Sequence, residues 1–195
     1  MPVPYLRKVQ NENCRRGAGR SGLSPDGLAT LMEMFQLVDA SGRPTGQASR
    51  EECHGNPRLI HLVVHVHVFG PSGRLYLQKR SMSKDTNPGL WDTSVGGHVM
   101  AGETVEAAVR REAREELGID ASGAVPLYSY LREGSFESEF AACFRLSWAG
   151  GITVDPVEID DGRFFTRAEV DAMIGTGLLT PMFQEEWPRL LRALP

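Results

Sequence analysis

The chain has 195 residues, of which 41% are hydrophobic and 24% charged, a balance that supports one folded domain with a tail and excludes disorder throughout. Its formal net charge of −4 argues against an electrostatic grip on nucleic acid or on an anionic membrane by the body as a whole. No run approaches the roughly 18 apolar residues of a membrane span. Cys14, Cys53 and Cys143, odd in number and without a CxxC pair, argue against a disulfide framework or zinc finger and fit a reducing cytoplasm.

In chain order, residues 1–31 read as a basic, disordered arm: Arg7, Lys8, Arg15, Arg16 and Arg20 precede any acid but Glu12, and no 2- or 3.6-residue period is present. Whether translation starts at Met32 or Met34 stays open. Residues 32–195 read as one mixed α/β domain. Phe35 to Val38 forms a strand, ended by the turn Asp39-Ala40-Ser41-Gly42. Residues 61–69 alternate strictly: Leu62, Val64, Val66 and Val68 face the core, and His61, Val63, His65, His67 and Phe69 form a second, partly polar face. Pro71-Ser72-Gly73 turns this strand into a hairpin partner, Arg74 to Lys79. After a polar loop come Trp91 to Val95 and the pair Gly96-Gly97. A helix follows from Thr104, its N-cap, through Leu117 to Gly118. Strands are predicted around 125–132, 139–148 and 163–166, and helices over Arg167 to Ile174 and Pro181 to Leu194.

The helix after Thr104 carries the chemistry. Glu112, Glu115 and Glu116 lie at i, i+3 and i+4 and share a face, which continues a stripe begun by Val105, Ala108 and Val109. A solvated acidic face would lie opposite an apolar stripe rather than extend it. Three like charges on adjacent turns raise one another's pKa and call for a cation, and oxygen ligands suit Mg²⁺ or Mn²⁺. Gly96-Gly97 lets backbone approach a ligand closely, and Glu103 stands in the loop just before the helix.

Gly97, Glu103, Arg111, Glu112, Ala113, Glu115, Glu116, Gly118 and Ile119 match the Nudix box, G-x5-E-x7-R-E-U-x-E-E-x-G-U with U apolar, Ala113 being smaller than usual. The chain resembles a Nudix hydrolase. The resemblance implies an α/β/α sandwich around a mixed β-sheet and a Mg²⁺- or Mn²⁺-dependent hydrolase that cleaves a diphosphate bond in a nucleoside diphosphate derivative or related small diphosphate. It also implies roles: Glu112, Glu115 and Glu116 as metal ligands, Arg111 as the residue orienting a catalytic glutamate, and Glu103 as the assisting loop carboxylate.

Over roughly residues 34–170 the chain is similar to the isopentenyl-diphosphate isomerase-like branch. The match runs through Asp39 to Gly46, Glu52-Cys53-His54, His61, Lys79-Arg80, Lys84, Pro88 to Asp92 and Ser94 to His98. This resemblance implies a second metal site formed by His54, His61, His98, Glu137 and Glu139, the two glutamates sharing one face of a strand. It implies diphosphate contacts from Arg80, Lys84 and Gly97. The isomerase's catalytic cysteine falls at Gly96, which bears no group to move a proton, so hydrolysis is expected. Isomerase-like activity and a non-catalytic nucleotide-binding module are the alternatives. The expected partner is a small diphosphate, without nucleic acid or membrane. Oligomeric state, a homodimer included, stays open.

Overall fold

The computed structural model describes residues 33–194; the N-terminal arm read from the sequence lies outside them. The organising element is β3 (Ile60–Phe69), a β-branched strand buried from His61 onward. Along one edge it pairs in parallel with β8 (Ser138–Ser147), from Ile60 opposite Ser138 to Phe69 opposite Ser147. Its other edge is shared by three antiparallel neighbours: β1 (Met34–Val38) at His61, β6 (Val95–His98) over Val63 to Val66, and β4 (Leu75–Arg80) at Phe69. β2 (Pro44–Ser49) extends from β1, and β7 (Val125–Glu133) from β8. β4 is flanked by β5 (Trp91–Asp92) and β9 (Ile159–Phe165). The sheet is therefore mixed, and its strands change partners along β3.

Helices cover both faces. α2 (Val105–Leu117) docks Ala108, Val109, Ala113 and Leu117 on Leu62, Val64, Val66 and Val68 of β3. On the opposite side, α3 (Arg167–Met173) and α4 (Pro181–Ala193) pack Val170, Phe183, Trp187 and Leu190 against Phe69, Leu75, Leu77 and Phe165. The α/β/α sandwich expected from the sequence is the architecture observed. Among the described residues no helix is long and apolar enough to cross a membrane.

The structure corrects or extends the sequence reading at four places. The second, partly polar face of β3 is covered: His61, His65 and His67 are fully buried, because α4, β7 and the segment around β1 close over it. Gly96 and Gly97, placed after the strand predicted over Trp91 to Val95, form the middle of β6, where the ladder to β3 overrides glycine's weak strand propensity. Arg74–Lys79 is only nominally a hairpin partner, since β4 meets β3 at one pair and takes β9 as its long partner from Leu75 to Arg80. β2 and the single-turn α1 (Arg50–Cys53), with its Ser49–Glu52 capping box, were not anticipated.

α2 begins where the Thr104 hydroxyl accepts from the Ala107 amide, and it ends at Gly118 in the left-handed region, φ 64°. A Cβ there would also stand 3.1 Å from the Thr153 carbonyl oxygen. Gly118→Ala is expected to lose about 1–2 kcal/mol in urea unfolding, the cost of placing an L side chain in that conformation. An unchanged midpoint would contradict this account of how α2 stops.

Candidate active site: a carboxylate helix beside a histidine cluster

The helix face and the loop before it are tied together by one guanidinium. Arg111 donates from Nε and Nη2 to the two oxygens of Glu103, each at 2.9 Å, and from Nη2 to the His98 carbonyl at 2.9 Å. Its Nη1 donates to Glu112 at 2.7 Å and to Glu115 at 3.1 Å. The bond to Glu103 leads in raising the arginine's pKa. Burial opposes the charge on Glu103, but Arg111 and the Met100 amide outweigh it and hold its carboxyl below the usual range. Glu103 is thus a fixed anion that locks Arg111 across the loop, β6 and α2.

The three helix carboxylates do not stand alike. Glu112 and Glu116 turn inward, whereas the Glu115 side chain is 58% exposed at the mouth. Glu116 Oε2 accepts from Gln78 Nε2 at 3.1 Å and from the Gly96 amide at 3.2 Å. Burial, reinforced by the neighbouring Glu112 charge, pushes the Glu116 carboxyl up to about 8, and burial also raises Glu112. Gly97 explains how Glu112 fits: a Cβ on it would lie 2.0 Å from the Glu112 carboxyl carbon. The carboxylate rests on bare backbone. Among the described residues Arg111 reaches Glu112 but not Glu116, so the pair is short of positive charge. Clustered oxygen donors lacking a counter-charge fit a hard divalent cation.

Across β6 lies the second cluster, assembled from α1's end (His54), β3 (His61), β6 (His98), the bend before β8 (Glu137) and β8 itself (Glu139). Glu137 is therefore not a strand neighbour of Glu139, as expected, but sits one residue ahead of β8. Ligating atoms of His61, His98 and Glu139 lie within 4.8 Å of one another. His54 stands 3.4 Å from Glu137, and His61 3.8 Å from Glu139. Phe35 stacks on His98 at 3.9 Å between ring centroids. Burial, helped by the other imidazoles, drives His61 down to about 4 and His98 well below its ordinary value, so both are neutral. Burial and Glu137 raise Glu139 to about 7. Among the described residues, both ring nitrogens of His61 are buried without a hydrogen-bond partner. Neutral, orphaned imidazole beside carboxylate is the donor set of a transition-metal site.

Both groups open on one cleft of about 760 Å³. Arg80 and Lys84 line its wall, but each already has a carboxylate: Arg80 lies 3.6 Å from Asp92, and Lys84 pairs with Glu158. Two cleft features escaped the sequence. Gln78, on β4, holds Glu116. His65, on β3, is held by Glu186 from α4, 121 residues away. One signal was available for the second: Phe183, Glu186, Trp187 and Leu190 fall at i, i+3, i+4 and i+7, which places an acid inside an apolar stripe.

The NUDIX domain family model matches residues 59–185. An isopentenyl-diphosphate Delta-isomerase of Brevibacterium linens is 35% identical over 149 residues, covering 73% of this chain and 82% of that protein. An uncharacterized Nudix hydrolase of Listeria monocytogenes is 34% identical over 154 residues, covering 78% of this chain and 90% of that protein. Among solved structures, DR0079 from Deinococcus radiodurans superposes with a TM-score of 0.70 at 29% identity, over 84% of this chain and all of that one. With the fold, the complete carboxylate motif and these likenesses in agreement, the chain belongs to the NUDIX family.

Proposed function

We propose that this protein is a Mg²⁺- or Mn²⁺-dependent hydrolase that cleaves a diphosphate bond in a nucleoside diphosphate derivative or a related small diphosphate. The observation that carries the reading is the pair of inward-facing carboxylates, Glu112 and Glu116, set against glycine backbone in a cleft where the Arg111 guanidinium reaches Glu112 and not Glu116. Glu112, Glu115 and Glu116 would hold the cation. When bound, such an ion would supply charge neutralisation for diphosphate oxygens and a more acidic water. The chain's own part is positioning. Arg111 occupies Oε1 of Glu112, and Gln78 with Gly96 occupies Oε2 of Glu116. Among the described residues, this leaves Glu112 Oε2 and Glu116 Oε1 without donors, so these are the oxygens offered to the cation. Glu103 keeps Arg111 in place, and Arg80, Lys84 and the bare Gly97 backbone form the phosphate-facing wall.

The histidine cluster supports a second, softer metal held by His54, His61, His98, Glu137 and Glu139, for which Mn, Fe or Zn suits the donors. Isomerase-like chemistry is disfavoured by Gly96, which offers no proton-transferring group where the isomerase has its cysteine. A nucleotide-binding module without turnover is disfavoured by the complete carboxylate set.

Three outcomes test these readings. With Mg²⁺ and a pooled panel of small diphosphates, ³¹P NMR is expected to show new phosphate signals, and Glu116→Gln to slow them by about a hundredfold or more while the fold persists; undiminished turnover in that variant would defeat the assignment. Gly97→Ala is expected to displace Glu112 and weaken Mg²⁺ binding by about 10–100-fold in calorimetry. After loading with Mn²⁺ or Zn²⁺ and dialysis, elemental analysis is expected to find retained metal that His98→Asn and Glu139→Gln both lose. Protein that retains no metal after dialysis yet shows full activity when Mg²⁺ is supplied would remove the second site.

A further inference from the structure

Among the ionisable side chains of the cleft without a part in the scheme above, one is a buried histidine. His65 on β3 is only 2% exposed yet lines the cleft. Its partner across the ladder is Gly96. A Cβ on Gly96 would stand 3.5 Å from His65 Cδ2 and 3.9 Å from Nε2. Any side chain at position 96 would cover that edge of the ring, and glycine leaves it bare. The same Gly96 donates its amide to Glu116. One residue of β6 therefore touches the carboxylate site through its nitrogen and the imidazole through its missing side chain.

The other edge of the ring is anchored. Nδ1 lies 3.0 and 3.1 Å from the two oxygens of Glu186, a completely buried acid on α4. Glu186 Oε1 also accepts from Cys143 Sγ of β8 at 2.9 Å and from the Tyr128 hydroxyl of β7 at 3.4 Å, with His67 Nε2 at 3.6 Å. Burial works against an imidazolium here, but the Glu186 carboxylate outweighs it, helped by the more distant Glu139 and Asp92, and His65 is raised to about 9. The counterpart holds: burial opposes the Glu186 charge, and His65 leads in pulling its carboxyl well below the ordinary range. Among the described residues Nε2 has no hydrogen-bond partner, and unlike the nitrogens of His61 it is not sealed from the cleft.

We propose that His65 contacts the substrate: anchored through Nδ1 on Glu186, it donates Nε2–H through the gap left by Gly96 to a phosphate oxygen of the diphosphate. This inference rests on the hydrolase reading and deepens it by assigning a contact beyond the conserved motif. No bond is made or broken at the imidazole; it supplies one donor, fixed in advance, beside Arg80 and Lys84, whose charges are already met by Asp92 and Glu158. Glu186 is a positioning residue, since it acts only through the ring.

The direct test is a ¹H–¹⁵N spectrum of the histidine side chains of the full chain, with Mg²⁺, titrated with methylenediphosphonate. The five histidines keep the spectrum sparse, and the His65 signals are assigned by their loss in His65→Asn. The expected result is a shift of the His65 Nε2 resonance on binding, with Nδ1 unmoved. His65→Asn, which keeps a donor for Glu186 but has none at the Nε2 position, is expected to bind the analogue at least tenfold more weakly. His65→Gln, whose amide reaches the Nε2 position, is expected to recover part of that loss. An unmoved Nε2 signal, or an analogue that does not bind, overturns the inference, and turnover of the ³¹P panel would then leave the hydrolase reading standing without His65. A moving Nε2 signal with no turnover does the reverse, leaving a diphosphate contact in a protein that is not a hydrolase. Should either variant fail to fold, the His65 signals are assigned in the wild type by through-bond correlation to its own backbone amide, and the wild-type titration alone decides.

Discussion

The structure turns on burying two carboxylates, Glu112 and Glu116, against the backbone of a glycine strand. Taking such groups out of water is unfavourable unless a cation compensates, and the surroundings answer that demand only in part. Arg111 serves Glu112, while Glu116 receives a glutamine and a peptide N–H. The remainder of the architecture keeps this arrangement from relaxing. Ala108, Val109, Ala113 and Leu117 pin α2 to the sheet, and the small side chain of Ala113, where the motif usually carries a larger residue, is completely buried. The cleft is charge-deficient by construction, and that deficiency is what a metal-bound diphosphate would satisfy.

β6 is the partition of the site. In Val95-Gly96-Gly97-His98, successive positions alternate between faces. Gly97 leaves room for Glu112 on one side. Gly96 and His98 face the other, opposite His65 and Val63 respectively. Four residues thus border three features: the carboxylate pair, the histidine cluster and the His65–Glu186 pair. Their electrostatic characters differ because their partners differ. Burial, with the neighbouring imidazoles adding to it, lowers the pKa of His61 and His98, whereas at His65 the Glu186 carboxylate outweighs burial and raises it. The same strand face of β3 therefore carries histidines shifted in opposite directions at positions 61 and 65.

How much of this the sequence discloses depends on how local each feature is. The acidic face of α2 is legible because i, i+3 and i+4 spacing needs nothing beyond one helix, and Thr104 and Gly118 mark its ends. The histidine cluster comes from five separate elements, so only the likeness to a known family assembled it. The strand character of Gly96-Gly97 was hidden because their own propensity argues for a loop and the ladder with Val64 and His65 decides otherwise. The burial of the histidine face of β3 is not legible in the sequence, because alternation reports which residues share a face but not what covers it. His65 and Glu186 illustrate the limit: the acid's place in the apolar stripe of α4 was a local signal, but its partner lies 121 residues away.

The account's central claim, that Glu112 and Glu116 are shaped around a divalent cation, is tested most directly by Mn²⁺ titration of the full chain followed by electron paramagnetic resonance. Wild type and Glu116→Gln should differ by one class of bound Mn²⁺, with binding at the histidine cluster retained in the variant. Identical Mn²⁺ stoichiometry and affinity in the two proteins would contradict the claim and leave the buried carboxylates without an explanation.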